Sequence, residues 1–284
     1  MATTKDPQIK ILVACHKEDS AIRNDKVHMP IHVGKALHPD RELGFQGDNT
    51  GDNISHKNES YCELTAMYWA WKNLPDIDFI GLAHYRRYFD LDITEDNLLR
   101  LFKRYDIIIG EEKVLPHSII EELFLLTSYE DTYILLDAIY QKFPELRSEL
   151  IEYFYYNNKW TNCNMFIAPK HIFDEYCTFL FPLMEQVEKN LKMSHYTRMR
   201  RVIGYLTEPL LGFWIHYKRL RSHSVGLIQI IDGFQATTPL HKKISNIKKQ
   251  IAFKTINLFS HKRELLFDEW VLNGLRADGY NIKN

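Results

Sequence analysis

An α/β fold built on a largely parallel sheet is the architecture this sequence predicts, and three observations carry the prediction. Short apolar runs rich in β-branched residues recur at 9–15, 79–83 and 105–110, each too short for a buried helix. Between and after them lie stretches with helical apolar spacing, as at 59–72 and 170–191. The first two runs end abruptly in polar residues, His16-Lys17 after one and His84-Tyr85-Arg86-Arg87 after the other. Strands alternating with helices at this spacing imply right-handed crossovers and parallel pairing.

The first strand is Ile9-Lys10-Ile11-Leu12-Val13-Ala14-Cys15, and Met29 to Val33 is its expected neighbour. Residues 44–58 are dominated by Gly, Asp, Asn and Ser; a stretch this long without periodicity in a folded domain is more often functional than idle. Ser55 and Asn58 precede a helix over 59–72, packed through Leu64, Met67, Tyr68 and Trp71 and stopped by Asn73-Leu74-Pro75. The central strand at 79–83 runs into the His-Tyr-Arg-Arg segment, a short helix follows at 96–103, and another strand at 105–110. Residues 118–154 read as helical and aromatic, 163–168 as a late strand, 170–191 as a long helix, and 198–217 as an amphipathic helix interrupted near Pro209.

The chain has 284 residues, 36 basic against 37 acidic, and is 45% hydrophobic with 13% aromatic. Scattered glycines and ample aromatic residues exclude collagen-like, disordered and coiled-coil classes. The charge balance argues against a general nucleic-acid binder. Cys15, Cys62, Cys163 and Cys177 form neither a Cys-x-x-Cys pair nor a Cys/His knuckle, so a reducing cytosol is expected and no disulfide framework or zinc site. The N-terminus lacks the apolar core of a signal peptide, and no window suits a membrane span, so any membrane contact is expected to be peripheral.

Ligands of open α/β sheets bind at the carboxyl ends of the strands, where loops diverge. His84, Arg86 and Arg87 put positive charge at such an end, a cradle for a phosphate or diphosphate through bidentate hydrogen bonds; structural arginines at a strand end are the competing reading. The Asp/Asn/Gly loop upstream shifts the balance towards the cradle, since short acceptors and turn glycines suit ribose hydroxyls and close backbone approach.

Ile31-His32-Val33-Gly34, Gly47 to Ser55, Lys57 to Ala66, Ile80-Gly81-Leu82-Ala83-His84-Tyr85-Arg86-Arg87-Tyr88-Phe89, Phe173 to Cys177 and the stretch from Arg201 to Glu208 together resemble a bacterial family found in capsule and O-antigen gene clusters. That family was long described as a domain of unknown function and is treated as glycosyltransferase, galactofuranosyltransferases among its members. The resemblance spans roughly 9–217, and its His-Tyr-Arg-Arg-Tyr-Phe block is specific. It implies a GT-A-like fold, a single Rossmann-like α/β domain with a mixed, mostly parallel sheet, expected over 1–232, and a helical C-terminal appendage over 233–284.

The resemblance also implies transfer of a hexose, galactofuranose or galactose, from a UDP-sugar to a polyprenyl-linked surface polysaccharide acceptor, with inversion. Arg86, Arg87 and His84 would stabilise the UDP leaving group. His16, Lys17, Asp48, Asp52, Asn53 and Asn164 are the further donor-binding candidates. Glu208, read as an acid at a helix N-terminus ahead of Pro209, would take the proton of the acceptor hydroxyl, although such an acid equally complements the helix dipole. Enzymes of this fold usually hold a divalent cation, Mn2+ or Mg2+, through Asp-x-Asp. Here the arginines can neutralise the diphosphate without one, and His84, Asp90 and Asp92 are the ligands if a cation is held. Rival readings are a non-catalytic nucleotide-sugar or glycan binding module of an assembly complex and, last for want of a glycine-rich phosphate loop, a phosphotransferase.

The charge is uneven along the chain. No acid falls between Asp232 and Glu264, whereas Lys242, Lys243, Lys248, Lys249, Lys254, Lys262 and Arg263 do. Ile244, Ile247, Ile251, Thr255 and Leu258 recur at helical spacing within it. Residues 242–263 therefore suit either the surface of an anionic membrane, placing the protein peripherally on the cytoplasmic face of the bacterial plasma membrane, or a solvated helix with its apolar stripe packed on the main domain.

Overall fold

Apolar runs without polar alternation bury both of their faces, so they pair in the interior of a sheet. The computed structural model describes residues 7–161, 163–193, 195–196, 199–231, 234–236, 240–259, 263 and 265–282, with backbone alone at 234–236, 240–242 and 259. Its strands are β1 (Ile9–Cys15), β2 (His28–His32), β3 (Gln46–Gly47), β4 (Phe79–His84), β5 (Arg87–Phe89), β6 (Ile107–Gly110), β7 (Lys113–Val114), β8 (Lys159–Trp160), β9 (Phe166–Pro169), β10 (Ser222–Val225), β11 (Leu227–Ile231) and β12 (Phe234–Ala236). Ten of these form one sheet in the order β10-β6-β9-β4-β1-β2-β3, with β5, β11 and β12 added as an antiparallel extension. Along the main path every strand runs the same way except β9, which is antiparallel to both β4 and β6. The expected α/β fold with a mixed, mostly parallel sheet is thus the one observed.

The helices are α1 (Asn58–Tyr61), α2 (Leu64–Asn73), α3 (Glu95–Phe102), α4 (Ile119–Leu126), α5 (Tyr129–Lys142), α6 (Arg147–Tyr156), α7 (Lys170–Asn190), α8 (Val202–Lys218), α9 (Leu240–Phe259) and α10 (Glu269–Ala277). The chain divides into two compact units. The sheet unit comprises the described parts of 1–111, 162–178 and 220–238 and holds the ten-stranded sheet, α1 to α3 and the start of α7. On one face of its sheet Ile11, Val13, Phe79, Ala83, Phe89, Ile167 and Leu227 form a single buried cluster. The helical unit comprises the described parts of 112–161, 179–219 and 239–284, and its other feature is the antiparallel pair of β7 and β8, which α4 to α6 separate in sequence. Tyr153, Phe154 and Phe213 meet in its core at ring separations of 5.4 to 5.7 Å.

Several elements depart from the sequence expectation. The helix over 59–72 is two helices, because Cys62 between them takes a left-handed conformation (φ 52°). The Asn58 amide stabilises that break by donating to the Cys62 carbonyl (2.7 Å) and to Thr65 Oγ1 (3.0 Å). Helix α8 runs straight through Pro209 rather than being interrupted there. Strand β12 continues the sheet beyond the expected boundary at 232. Ser222-His223-Ser224-Val225 is too polar to read as a strand, yet it pairs in parallel with β6 at the sheet edge.

Gly81 in β4 permits the close approach of β9. A Cβ there would lie 2.7 Å from the Phe166 carbonyl oxygen and 2.8 Å from Ile11 Cδ1. Neither the backbone of a central strand nor a buried Ile can retreat freely, so Gly81→Ala is expected to destabilise the sheet unit by about 1–3 kcal/mol, read as a lowered urea midpoint at unchanged slope.

Candidate active site

Because the strands flanking β9 all run one way, their carboxyl ends form one edge. Cys15, His32, Gly47, His84 and Gly110 end β1, β2, β3, β4 and β6 there. The antiparallel β9 begins at the same edge, two residues after Asn164. His16, Lys17, Asp48, His84, Arg86, Arg87 and Asn164 are therefore brought to a single rim.

Asp48 is fully buried and organises one end of that rim. Its carboxylate accepts from the Gly34 amide (2.9 Å), the Lys35 amide (3.2 Å) and the Ser55 hydroxyl. Ser55 Oγ in turn accepts from the Ala36 amide (3.0 Å). Gly34 has a positive φ of 68°, and a Cβ there would come within 2.6 Å of Asn58 Oδ1, so only glycine presents its N–H to the carboxylate here. Asp48 thus shapes the loop instead of facing a ligand. Asn53 does likewise, donating to the Gly51 carbonyl (2.9 Å) and accepting from the Ser55 amide (3.2 Å). Asp52 is exposed and accepts from the Tyr68 hydroxyl (3.2 Å). The indole of Trp69, donating to Thr50 Oγ1 (2.9 Å), pins the same loop onto α2.

His84 and Arg87 face each other across a tight turn made of Tyr85 and Arg86, which links β4 to β5. Residues directly opposite in an antiparallel pair share a face, and both side chains meet the same residue. His84 Nε2 lies 2.9 Å from the Cys163 carbonyl oxygen, and Arg87 donates to Cys163 Sγ (2.9 Å). Cys163 and Asn164 both have left-handed backbone, φ 61° and 51°, which turns the chain sharply into β9. Buried Asn164 donates to Glu63 Oε1 (3.1 Å), at the break between α1 and α2. Asn164 is thereby tied to the protein's own carboxylate.

Tyr85 gathers His16, Lys17 and Arg86. The His16 ring packs on it edge-on at 5.4 Å, and Lys17 Nζ lies 5.9 Å from its centroid. Arg86 is exposed and donates through Nε and a terminal nitrogen to Asp19 Oδ2, both at 2.8 Å. The Ala21 amide first, and then the Arg86 guanidinium, hold the Asp19 carboxyl below the usual carboxylate range. Buried Tyr88 anchors this loop from beneath: its hydroxyl donates to the Ala21 carbonyl (2.8 Å) and accepts from the Arg23 amide (2.9 Å). Burial pushes its pKa up to about 12, so it remains a phenol. At the end of β2, His32 is buried with no protein partner to Nε2 among the described residues, and burial and then the Lys35 charge push its pKa down. Asp19, Glu63, Tyr88 and Cys163 carry the local architecture; Glu63 and Tyr88 lie within the segments that carry the family resemblance, whereas Asp19 and Cys163 lie outside them.

The other candidates belong to other elements. Glu208 belongs to the helical unit and stands inside α8, six residues after its start at Val202, so the expectation of a helix N-terminal acid is corrected: the helix begins earlier and passes through Pro209. Its Oε2 accepts from the Trp160 indole N–H (2.9 Å). Asp90 and Asp92 follow β5 and are exposed; the Asp90 amide donates to the Gly226 carbonyl (2.8 Å) and the Asp92 carbonyl accepts from Asn97 (2.6 Å). No three His, Cys, Asp or Glu side chains converge as a metal site among the described residues, so His84, Asp90 and Asp92 do not form a ligand set.

Of the C-terminal basic residues, Arg263 is paired with Asp268 (2.8 Å) and Lys249 reaches the Val114 carbonyl (3.4 Å). Lys243, Lys248 and Lys254 are exposed, whereas Lys262 and the Lys242 side chain lie outside the described residues. Ile244, Ile247, Ile251 and Leu258 are 51%, 58%, 61% and 81% exposed, so the stripe is not packed against the protein. It is the opposite face, through Phe253, that is buried. No helix among the described residues is long and apolar enough to cross a membrane.

The family described as a domain of unknown function, DUF4422, matches residues 10–219, and the chain belongs to it. Among solved structures, the apo structure of WbbM, described as a bifunctional glycosyltransferase, superimposes with a TM-score of 0.68 at 27% sequence identity. The match covers 82% of this chain and 47% of that one, so the chain spans about half the length of its structural neighbour. The fold is accordingly GT-A-like. No curated protein matches the chain.

If Tyr88 anchors the 19–23 loop as its hydrogen bonds imply, Tyr88→Phe should cost about 1–3 kcal/mol by leaving the Arg23 N–H and the Ala21 carbonyl unpaired. Hydrogen exchange should accelerate more at Ala21 to Arg23 than at Leu12 and Val13, which follow only the global loss of stability; equal acceleration at both would contradict the anchor.

Proposed function

We propose that this protein is a glycosyltransferase that moves a hexose, galactofuranose or galactose, from a UDP-sugar to a polyprenyl-linked surface polysaccharide, with inversion. The observation that carries the reading is the His84-Tyr85-Arg86-Arg87 turn: histidine and arginine share a face at the carboxyl edge of the sheet, where this fold class receives ligands. Similarity to a glycosyltransferase at 27% identity supports the reaction class.

In the proposed step the acceptor oxygen attacks the anomeric carbon while the bond from that carbon to the β-phosphate oxygen breaks, and UDP leaves with the electron pair. Arg86 and Arg87 meet the charge that develops on the leaving diphosphate, which fixed donors stabilise without reorganisation. His84, aligned by the Cys163 carbonyl, adds a hydrogen bond from the same face. His16 and Lys17 extend the positive rim, Asp52 faces solvent beside it, and Asp48, Asn53 and Asn164 hold the loops that shape it. Glu208, its Oε2 oriented by the Trp160 indole, takes the acceptor proton. In this reading the charge neutralisation is assigned to the arginines.

The acceptor is proposed to lie on a lipid, and the exposed face of α9 supports peripheral attachment at the cytoplasmic face of the membrane. Placed at 100° per residue, Ile244, Ile247, Ile251 and Leu258 form one stripe, with Lys248 on one flank and Lys243 and Lys254 on the other. Catalysis by residues before 232 and membrane attachment through α9, within 233–284, is the corresponding division of labour.

Calorimetry should detect UDP binding that weakens about tenfold or more on Arg86→Ala and on Arg87→Ala. Glu208→Gln should leave that binding intact while lowering kcat by about a hundredfold to ten-thousandfold. UDP affinity indifferent to both arginines would sink the cradle, and tight UDP binding without turnover of any UDP-hexose would favour a binding module. Flotation with liposomes containing phosphatidylglycerol should fall roughly a hundredfold in the triple variant Lys243→Glu, Lys248→Glu, Lys254→Glu, since each lysine contributes about 1 kcal/mol at such a surface. Unchanged flotation would remove the membrane role.

A further inference from the structure

The helical unit carries a second exposed apolar surface whose chemistry is opposite to that of α9. Trp270 in α10 is 67% exposed, and Tyr129, the first residue of α5, is 46% exposed. Their rings stand 5.8 Å apart at 61°, and Tyr129 stacks at 4.1 Å on Phe124, which in turn stacks on buried Tyr133. Leu125 lies exposed one residue beyond Phe124.

This row of rings is rigidly seated. The Tyr133 hydroxyl donates to Asp268 Oδ2 (2.6 Å), and Arg263 donates to the other oxygen (2.8 Å). Asp268 is the N-cap residue of α10, two positions before Trp270, and its carbonyl accepts from the Val271 and Leu272 amides. Leu266 and Phe267, just upstream, are buried. An exposed tryptophan on a mobile tail would need no explanation; one on a helix whose N-terminal residue Asp268 is held through its carboxylate by a buried tyrosine and an arginine is a preorganised contact.

The surroundings select the occupant. Glu130 and Glu269, each adjacent in sequence to one of the two exposed rings, are themselves exposed, and Asp131 follows in the first turn of α5. Exposed carboxylates next in sequence to both rings repel anionic headgroups, so this surface does not suit the bilayer that the lysines of α9 suit. They do accept hydrogen bonds from hydroxyls. A sugar ring offers both complements: an apolar face of weakly positive C–H groups, which meets the negative face of an aromatic ring, and a rim of hydroxyl donors.

We infer that Trp270 and Tyr129 form a second sugar-binding surface that stacks a neutral hexose unit of the glycan chain, with Glu130 and Glu269 accepting from its hydroxyls. The inference rests on the transferase reading for the identity of the chain that would occupy it. Its role would be to retain a long acceptor between transfers.

The test uses the full chain and neutral galactan oligosaccharides of about three to six residues, followed by saturation-transfer NMR and calorimetry with no donor present. Wild type is expected to bind, Trp270→Ala and Tyr129→Ala to lose about fivefold or more in affinity, and Trp270→Phe to retain most of it. Arg86→Ala should bind the oligosaccharide as wild type does, and Trp270→Ala should bind UDP as wild type does. Failure of the oligosaccharide to bind, or affinity unmoved by both ring substitutions, overturns the inference and leaves the donor cradle standing. Loss of UDP binding to wild type is the separate result that would remove the transferase reading. Reduced flotation of Trp270→Ala with phosphatidylglycerol liposomes and unchanged oligosaccharide affinity would assign the rings to the membrane instead, and would likewise overturn it.

Discussion

The carboxyl edge of the sheet depends on one buried charge. Asp48 has no exposure to water, and an ionised carboxylate is tolerated in such a place only if its oxygens are fully occupied by donors. The Gly34 and Lys35 amides and the Ser55 hydroxyl do this, and in doing so they fix three separate segments to each other: the turn after β2, the residue after β3, and the start of the path into α1. The arrangement also explains the absence of a side chain at residue 34. Without these bonds the long Gly, Asp and Asn loop would keep its Asn53 and Trp69 ties, but the rim next to it would lose the residues that fix β2 and β3 to it.

A second fixed point lies across the sheet from the first. Cys163 receives His84 through its carbonyl and Arg87 through its sulfur, while neighbouring Asn164 reaches back to Glu63. Both residues occupy left-handed backbone, which costs energy for non-glycine side chains and persists only when the surroundings over-determine it. Here the over-determination is visible, since side chains from β4, β5 and the α1–α2 break all converge on two consecutive residues. Among the described residues, two of the four non-glycine residues with positive φ, Cys163 and Asn164, stand at this rim, and none lies in a strand.

Much of this was legible in the sequence because the responsible signals are local. Apolar runs announced β1, β4 and β6, and the abrupt change to His84-Tyr85-Arg86-Arg87 announced where the rim would be. What escaped reading depends on partners distant in the chain. Asp48 looks the same as an exposed turn aspartate until Gly34 and Ser55 are placed around it. The α1–α2 break has neither glycine nor proline to mark it, and Cys62 adopts its conformation because Asn58 and Thr65 support it. Glu208 misled for the opposite reason: Pro209 suggested a helix start, yet α8 tolerates it in its interior. The apolar stripe of α9 was visible, but whether it was covered could only be decided by seeing Phe253 buried on the other side.

The reversed strand β9 has a consequence for how the chain reaches its native state. It sits between β4 and β6, and β6 then needs β10, which is more than a hundred residues later, to complete its other edge. The segment 112–161 intervenes before β9 is made, and 179–219 before β10. During synthesis, β1, β2 and β4 can pair early, but β6 emerges with both edges open and waits through two long helical excursions for its neighbours. Unpaired apolar strands of this kind are prone to association. The chain must therefore depend on the helical segments collapsing promptly, or on chaperones shielding Ile107 to Ile109, before the sheet can close.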